Sequence, residues 1–161
     1  MRRSKISAGL LMFRGGNARL EVLLVHPGGP FFRNKDDGVW TIPKGEAADG
    51  EDLVTRAKTE FEEELGIAPS GNWIALGSAQ QKGGKTVHAW AFEGDLPDKF
   101  KLDSNTFKME WPPRSGKLHR FPEIDRAGFF PLEQALRKIN IAQRIFIDRL
   151  VNALKTRHEI T

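Results

Sequence analysis

The chain has 161 residues, 39% of them hydrophobic and 29% charged, which is typical of one globular domain spanning residues 1–161. It contains no cysteine, which excludes disulfides, thiolate metal ligands and cysteine nucleophiles and suits a cytoplasmic location. No apolar run approaches the roughly 18 residues of a membrane span, so no membrane partner is expected. The net charge of +4 favours phosphorylated ligands but does not resemble a nucleic-acid-binding arm.

The first 26 residues predict two strands joined by a turn. The nearly continuous apolar run Ala8–Phe13 is typical of a buried strand, and Arg14-Gly15-Gly16 interrupts it too early for a signal peptide. Gly15-Gly16-Asn17 supplies the turn, and Leu20–His26 returns as the second strand. We expect His26 to be a hydrogen-bonded residue of the sheet, although a ligand contact is the alternative.

A turn-rich segment follows and leads to a third predicted strand at Val39–Ile42. Pro27-Gly28-Gly29-Pro30 lacks the spacing of a phosphate-binding loop and has no helix after it, so a plain turn is expected. Three aromatic side chains in this region could either stack on a base or pack in the core. They are Phe31, Phe32 and Trp40.

The stretch Gly45–Ile67 carries the clearest chemical signal. Its second half predicts a helix, because apolar residues recur at every fourth position and form one stripe. These residues are Leu53, Ala57, Phe61 and Leu65. Beside the stripe, Glu60, Glu63 and Glu64 span an arc of roughly 100°, so that the three carboxylates can point into one space.

Three carboxylates packed this closely repel one another unless a cation neutralises them. A hard divalent cation is the natural partner, and Mg²⁺ prefers a few carboxylates together with waters and substrate phosphates. A solvated acidic helix face is the alternative for these glutamates taken alone.

The same stretch resembles the Nudix box, whose pattern is G-x5-E-x7-R-E-U-x-E-E-x-G-U, where U is a bulky aliphatic residue. Phe61 occupies the first U position, and Thr59 stands where the family has arginine. The residues that match as written are Gly45, Glu51, Glu60, Glu63, Glu64, Gly66 and Ile67. The resemblance to the Nudix hydrolase superfamily implies an α+β fold, an α/β/α sandwich with a mixed β-sheet flanked by helices.

The resemblance also implies a metal site and a catalytic base. The cofactor would be Mg²⁺, with Mn²⁺ as a possible substitute. Its ligands would be Glu60, Glu63, Glu64 and a backbone carbonyl at Gly45 or Lys44. The Lys44 side chain would lie beside the site, where it either binds a phosphate oxygen or remains solvated. Glu51 or Asp52 would place an anion in the first helical turn, and we interpret Glu51 as structural.

Threonine at position 59 cannot brace the neighbouring glutamate as the arginine of the family does. Arg56 lies on the same helical arc as the three glutamates and four residues before Glu60. We hypothesise that Arg56 takes over part of the bracing through an i,i+4 pair. An exposed arginine without this role is the alternative.

After Gly66, which suits a helix C-cap, two strands are predicted at Trp73–Gln81 and Lys85–Phe92. The next stretch, Phe100–Phe121, is the least regular of the chain. It predicts either a solvated loop or a basic loop that holds a polyphosphate and stacks a base. The substrate-binding candidates within it are Trp111, Arg114 and Lys117.

The chain closes with a short strand at Ala127–Leu132 and two helices, Leu132–Ile139 and Ile141–Lys155. In Nudix proteins a carboxylate shortly before such a strand often serves as an additional metal ligand or as the base. Glu123 lies at about that offset and Glu110 is its competitor; we favour Glu123. As the catalytic base we place Glu60 first and Glu123 second.

The residues and the resemblance together imply a metal-dependent hydrolase that cleaves a diphosphate linkage by water attack on phosphorus. The segment WTIPKGE looks most like enzymes acting on dinucleoside polyphosphates or diphosphoinositol polyphosphates, and we favour a nucleoside or dinucleoside polyphosphate. The alternatives are a catalytically weak nucleotide-binding sensor, which Thr59 favours, and an RNA 5′-pyrophosphohydrolase. The expected partner is a small phosphorylated molecule rather than nucleic acid, and the oligomeric state stays open.

Overall fold

The computed structural model describes residues 5–16, 19–157 and 160, and these form eight strands and three α-helices. The strands are β1 (Ile6–Arg14), β2 (Glu21–Pro27), β3 (Lys44–Glu46), β4 (Ile74–Gln80), β5 (Thr86–Glu93), β6 (Thr106–Glu110), β7 (Leu118–Pro122) and β8 (Ile124–Pro131). The helices are α1 (Leu53–Leu65), α2 (Leu132–Lys138) and α3 (Arg144–Thr156), the last preceded by a 3-10 turn at Ile141–Gln143.

Six of the strands form one mixed sheet. Its order is β4-β5-β1-β2-β8, and β3 pairs with β1 beside this path. Strand β1 runs parallel to β5 and antiparallel to β2 and β3. The predicted mixed sheet is therefore confirmed.

Helices cover both faces of this sheet. Alternate residues of β1 point into two separate cores, so that Leu10 packs with α1 whereas Leu11 packs with α3. Because both faces of the sheet are buried, the sequences of β1 and β2 are nearly continuous apolar runs and do not alternate between apolar and polar residues. The predicted α+β sandwich is confirmed.

Helix α1 has the predicted apolar stripe and well-defined ends. Asp52 is its N-cap and accepts a hydrogen bond from the Thr55 amide at 3.3 Å. Gly66 ends it in the left-handed region, at φ 73°, as predicted for a C-cap. The expectation of an acidic residue in the first turn was wrong, because Glu51 and Asp52 both precede the helix.

Two further predicted elements are less regular than expected. The segment Val39–Ile42 forms isolated bridges, Thr41 with Val25 and Trp40 with Ile139, and regular pairing begins only at β3. The last predicted helix starts with the 3-10 turn because the Asn140 side chain caps the Ala142 amide there.

The stretch predicted as an irregular loop contains a β-hairpin instead. Strands β6 and β7 pair antiparallel as a separate two-stranded sheet. Phe107 and Met109 are half-buried while their neighbours in β6 are exposed, which is the alternation expected of a strand. The many charged residues and few apolar ones in this stretch hid that pattern.

The segment after β2 is a turn, as predicted, but its glycines are also needed for close packing. A Cβ atom on Gly28 would lie 1.9 Å from the carbonyl oxygen of Pro122. Gly29 has φ 95°, and a Cβ atom there would lie 2.9 Å from the Phe107 ring. The turn is thus packed directly against the β6–β7 hairpin.

One part of the predicted first turn, Asn17, lies outside the described residues. Within the described part of the chain, none of the helices has the length and apolar character needed to cross a membrane.

The contact at Gly28 predicts a stability effect. Gly28→Ala should destabilise the protein by about 1–3 kcal/mol, because the added methyl group must push the hairpin backbone away. Gly128→Ala is the matched control, since its Cβ would meet Phe130 at an ordinary 3.5 Å. Urea denaturation measures both. Equal stability of the two variants would contradict the close packing.

Candidate functional site

Helix α1 presents two of the three glutamates, Glu60 and Glu64, to the segment that leads into it. Glu64 is buried, with only 8% of its surface exposed, whereas Glu60 is half-buried and Glu63 is exposed. One oxygen of Glu64, Oε2, is buried without a hydrogen-bond partner. A buried carboxylate oxygen without a partner is unfavourable, which makes this position a candidate for cation binding.

Burial and mutual repulsion change the protonation of this cluster. Burial, followed by the charge of Glu60, raises the pKa of Glu64 to about 8, although Lys44 opposes the shift through its charge and a backbone hydrogen bond. Burial also raises the pKa of Glu60, with the charges of Glu63 and Glu123 acting in the same direction. The two carboxylates are therefore held in an environment that favours a nearby positive charge.

Gly45 lies directly against Glu60. A Cβ atom on Gly45 would be 2.0 Å from the carboxyl carbon of Glu60, so only glycine leaves room for this carboxylate. Gly45 belongs to β3, which pairing with β1 holds in place opposite Ala8. The predicted backbone ligand and the first predicted carboxylate ligand are thus neighbours.

Lys44 is partly buried beside the same carboxylates. Burial lowers the pKa of its ammonium group, while the charges of Glu64 and Glu60 raise it. The side chain of Lys44 is thus half-buried at the edge of the carboxylate cluster, and its binding to a phosphate stays a prediction. Lys85 acts on Lys44 as a second cation, a neighbour that the sequence analysis missed because it lies in the β4–β5 turn.

Arg56 forms the predicted pair with Glu60. Its Nη1 lies 3.1 Å from Glu60 Oε1, and its Nη2 lies 2.7 Å from Glu51 Oε2. Glu51 in turn accepts the Ala48 amide at 2.9 Å, a structural contact that differs from the one predicted for it in the first helical turn. Thr59, where the family has arginine, instead donates its hydroxyl to the Thr55 carbonyl at 3.0 Å.

The structure separates the two candidate carboxylates upstream of β8. Glu123 lies close enough to raise the pKa values of both Glu60 and Glu64. Glu110 instead accepts the Arg114 amide at 2.7 Å within the hairpin. This placement favours Glu123 as a member of the acidic cluster.

Three of the four predicted substrate-binding residues, all except Lys44, lie at the turn of the β6–β7 hairpin. Trp111 is half-buried, and its amide donates a hydrogen bond to the Lys117 carbonyl at 3.0 Å. The side chains of Arg114 and Lys117 are exposed. Within the described residues, no hydrogen bond, ion pair or ring contact joins these side chains to the glutamates of α1. The structure therefore does not bring them together with the acidic cluster.

The open alternatives for the aromatic residues are also decided by burial. Trp40 is a core residue, 4% exposed, that donates to Asp36 at 2.7 Å and packs edge-to-face on Phe130. Phe31 is exposed and Phe32 is half-buried. His26 is buried and hydrogen-bonded through both ring nitrogens, as predicted for a residue of the sheet.

Gln143 is a positioning residue that the sequence analysis missed. It is fully buried, and its Oε1 accepts the Ile42 amide at 3.0 Å, two residues before Lys44. Gln143 directly precedes α3, and its spacing to Ile147 and Leu150 continues the apolar face of that helix. A polar residue at such a position is the signal that could have identified it.

A cavity of about 800 Å³ lies elsewhere in the described structure. Residues of the β4–β5 turn, α2 and the 3-10 turn line it, among them Lys82, Arg137 and Ile141. None of the predicted site residues lines this cavity. We place the functional site at the acidic cluster because the perturbed carboxylates are there, and not in this cavity.

The chain's donor groups fit a hard divalent cation. Among the described residues no three carboxylate or imidazole side chains already stand at ligand spacing, so side-chain rotation would have to complete the set. The unpartnered Oε2 of Glu64 and the space that Gly45 leaves beside Glu60 are oxygen-lined and suit Mg²⁺ or Mn²⁺.

The raised pKa of Glu64 predicts a pH-dependent stability without metal. In the folded state Glu64 stays protonated up to about pH 8, whereas in the unfolded state it loses its proton near its ordinary pKa of 4.5. The free energy of unfolding therefore falls as pH rises between these two values. Glu64→Gln should remove this decline, which we expect to amount to a few kcal/mol at most.

Urea denaturation at pH 5 and pH 8 in the presence of a chelator measures this difference. Glu62→Gln is the matched control, since Glu62 is exposed on the same helix. An identical pH dependence in wild type and Glu64→Gln would show that Glu64 does not carry the effect.

Comparisons with known proteins place this arrangement in a family. Solved structures with the same fold include a C. elegans Ap4A hydrolase in a binary complex, with 22% identity, a TM-score of 0.66, and coverage of 93% of this chain and 98% of that chain. The NUDIX domain of Shewanella oneidensis NrtR complexed with ADP ribose has 13% identity, a TM-score of 0.62, and coverage of 96% and 90%. The MutT protein from Methanosarcina mazei Go1 has 22% identity, a TM-score of 0.59, and coverage of 93% and 94%.

At these identities the structural likeness shows the fold alone, and no curated protein matches the sequence. The family model described as NUDIX domain, however, matches residues 3–150, which is nearly the whole chain. This chain belongs to the NUDIX domain family.

Proposed function

We propose that this Nudix pyrophosphohydrolase cleaves a diphosphate linkage in a nucleoside or dinucleoside polyphosphate with the help of Mg²⁺ or Mn²⁺. The observation that carries the proposal is the buried carboxylate of Glu64, which has an unpartnered oxygen and lies within electrostatic reach of Glu60 and Glu123. Ionising Glu64 in this position is unfavourable unless a cation compensates its charge.

The residues that would hold the metal are Glu60, Glu63, Glu64 and the backbone carbonyl of Gly45. When bound, a divalent cation offsets charge on the phosphates and lowers the pKa of an attacking water. Lys44 lies beside the same carboxylates, where its ammonium group can bind a phosphate oxygen of the substrate.

The reaction needs one proton acceptor. A water oxygen forms a bond to one phosphorus, the bridging P–O bond breaks, and the departing phosphate keeps the electron pair. Glu60 is the first candidate to take the proton from water and Glu123 the second. The raised pKa of Glu60 makes its carboxylate a stronger base near neutral pH.

Two observations support a polyphosphorylated substrate. Lys44 lies beside the acidic cluster, and Lys85, which pairs with Glu46 at 3.4 Å, lies within electrostatic reach of Lys44. A C. elegans Ap4A hydrolase and an ADP ribose-bound NUDIX domain share the fold, which is compatible with a nucleotide ligand.

The sensor alternative loses its main argument. It was based on threonine at position 59, but Arg56 already supplies a guanidinium group to Glu60 at 3.1 Å. A domain that only binds nucleotides has no need of a desolvated carboxylate cluster. We therefore favour the enzyme.

The proposal predicts metal-dependent turnover. Phosphate-product release is measured with and without Mg²⁺ from nucleoside triphosphates, diadenosine polyphosphates, ADP-ribose, a diphosphoinositol polyphosphate and capped RNA. Polyphosphorylated nucleotides should be the best substrates, and Glu63→Gln should abolish turnover because it removes a metal ligand.

Glu123→Gln should lower kcat, whereas Glu110→Gln, its matched control in the hairpin, should not. If no compound is turned over while a nucleotide still raises the melting temperature, the protein is a sensor. A clear preference for capped RNA would instead support the RNA 5′-pyrophosphohydrolase.

The brace on Glu60 makes a separate prediction. Arg56→Ala should lower metal-dependent turnover by roughly ten-fold or more, because Glu60 loses the partner that orients it. Thr59→Ala, which removes only a hydroxyl bound within the helix, is the matched control and should have little effect. The brace would be excluded if Arg56→Ala were fully active while Thr59→Arg raised turnover.

A further inference from the structure

The loop between β2 and the Trp40 bridge, residues 28–38 (the 28–38 loop), is contacted near its end by a buried histidine. His26 Nε2 lies 2.7 Å from the Lys35 carbonyl oxygen, and its Nδ1 lies 2.7 Å from Asp125 Oδ1. The ring is fully buried and packs edge-to-face on Trp40 at 5.1 Å. The end of the loop is thus fixed by polar contacts that a mobile loop would not have.

The start of the loop is fixed to the segment that carries Glu123. The Gly28 amide donates to the Glu123 carbonyl at 2.9 Å, and the Gly28 backbone packs on Pro122. Glu123 in turn acts on the carboxylates of α1. Because three residues span at most about 11 Å, Phe31 lies within that distance of the Gly28 contact.

Phe31 is an exposed aromatic residue on this fixed loop. Its side chain is 61% exposed, and its ring packs edge-to-face on Phe32 at 5.7 Å. The Lys35 ammonium lies 4.6 Å from the centre of the Phe31 ring. Large exposed apolar side chains held rigidly are common at binding sites, where they lose little entropy on binding.

The charges of the loop leave its cations without carboxylate partners. Asp36 is bound by the Lys138 ammonium at 2.8 Å, and Asp37 lies 3.4 Å from Arg137. Lys35 and Arg33 have no ion pair within the described residues. The loop therefore presents an aromatic ring beside uncompensated positive charge.

We propose that Phe31 and Lys35 form a nucleotide-binding platform, on which the substrate's base stacks on Phe31 while Lys35 binds its phosphates. An aromatic face accepts any base, and an adjacent ammonium group selects a ligand that is both aromatic and anionic. This assignment rests on the proposed function and restricts its substrates to nucleotides, since a diphosphoinositol polyphosphate has no aromatic group to stack.

The test compares two ligands that both contain three linked phosphates, of which only one, ATP, carries a nucleoside. Affinities for ATP and tripolyphosphate are measured by calorimetry in the inactive Glu63→Gln background, with and without Phe31→Leu. Loss of the ring should weaken ATP binding by at least about five-fold and leave tripolyphosphate binding unchanged. Phe31→Trp should restore the affinity for ATP, and Lys35→Met should weaken both ligands.

The matched controls are Ile145→Ala, an exposed apolar residue of helix α3, and Lys99→Met, an exposed lysine of the β5–β6 connection. Neither should change binding. The platform is excluded if Phe31→Leu weakens both ligands equally or neither, or if ATP binds no more tightly than tripolyphosphate. Those results would exclude the platform without contradicting metal-dependent hydrolysis. Conversely, the wild-type protein could bind ATP in a Phe31-dependent manner and turn over no substrate. That result would exclude the hydrolase and support the platform.

Discussion

The burial of Glu64 is the constraint on which the site depends. Removing a carboxylate from water is costly, and here the charge of Glu60 adds to the cost. The folded chain tolerates it because α1 is anchored by its apolar stripe on one core of the sheet. The pairing of β3 with β1 fixes Lys44 and Gly45 against the helix. The stability of the two cores thus maintains an arrangement that is unfavourable by itself.

Much of this site could be predicted because its signals are local. The apolar stripe and the acidic face of α1 lie within one helix, where periodicity alone fixes which side chains share a face. The pair between Arg56 and Glu60 follows from the same geometry, since residues four apart are neighbours on a helix. The N-cap Asp52 and the C-cap Gly66 are short-range features as well.

Other features could not be predicted because they depend on pairing between distant segments. The β6–β7 hairpin is joined by a seven-residue turn, 111–117, and has few apolar residues, so neither its register nor its existence is visible in local composition. Trp40 and Phe31 are both aromatic residues of one segment. Trp40 is buried through its bridge to Ile139, its bond to Asp36 and its packing on Phe130, whereas Phe31 is exposed.

Buried polar side chains show where the fold departs from simple hydrophobic packing. Three of the four in the described chain, His26, Glu64 and Gln143, bond to the backbone of segments that flank the site. Gln143 binds Ile42, Glu64 binds Lys44, and His26 binds Lys35. Such groups are costly to bury, and Glu64 Oε2 and Gln143 Nε2 have no hydrogen-bond partner among the described residues. The bonds that these side chains do make fix irregular backbone that sheet pairing does not reach. Their concentration on residues 35–44 indicates that this fold uses polar contacts to position the segments that would meet a substrate.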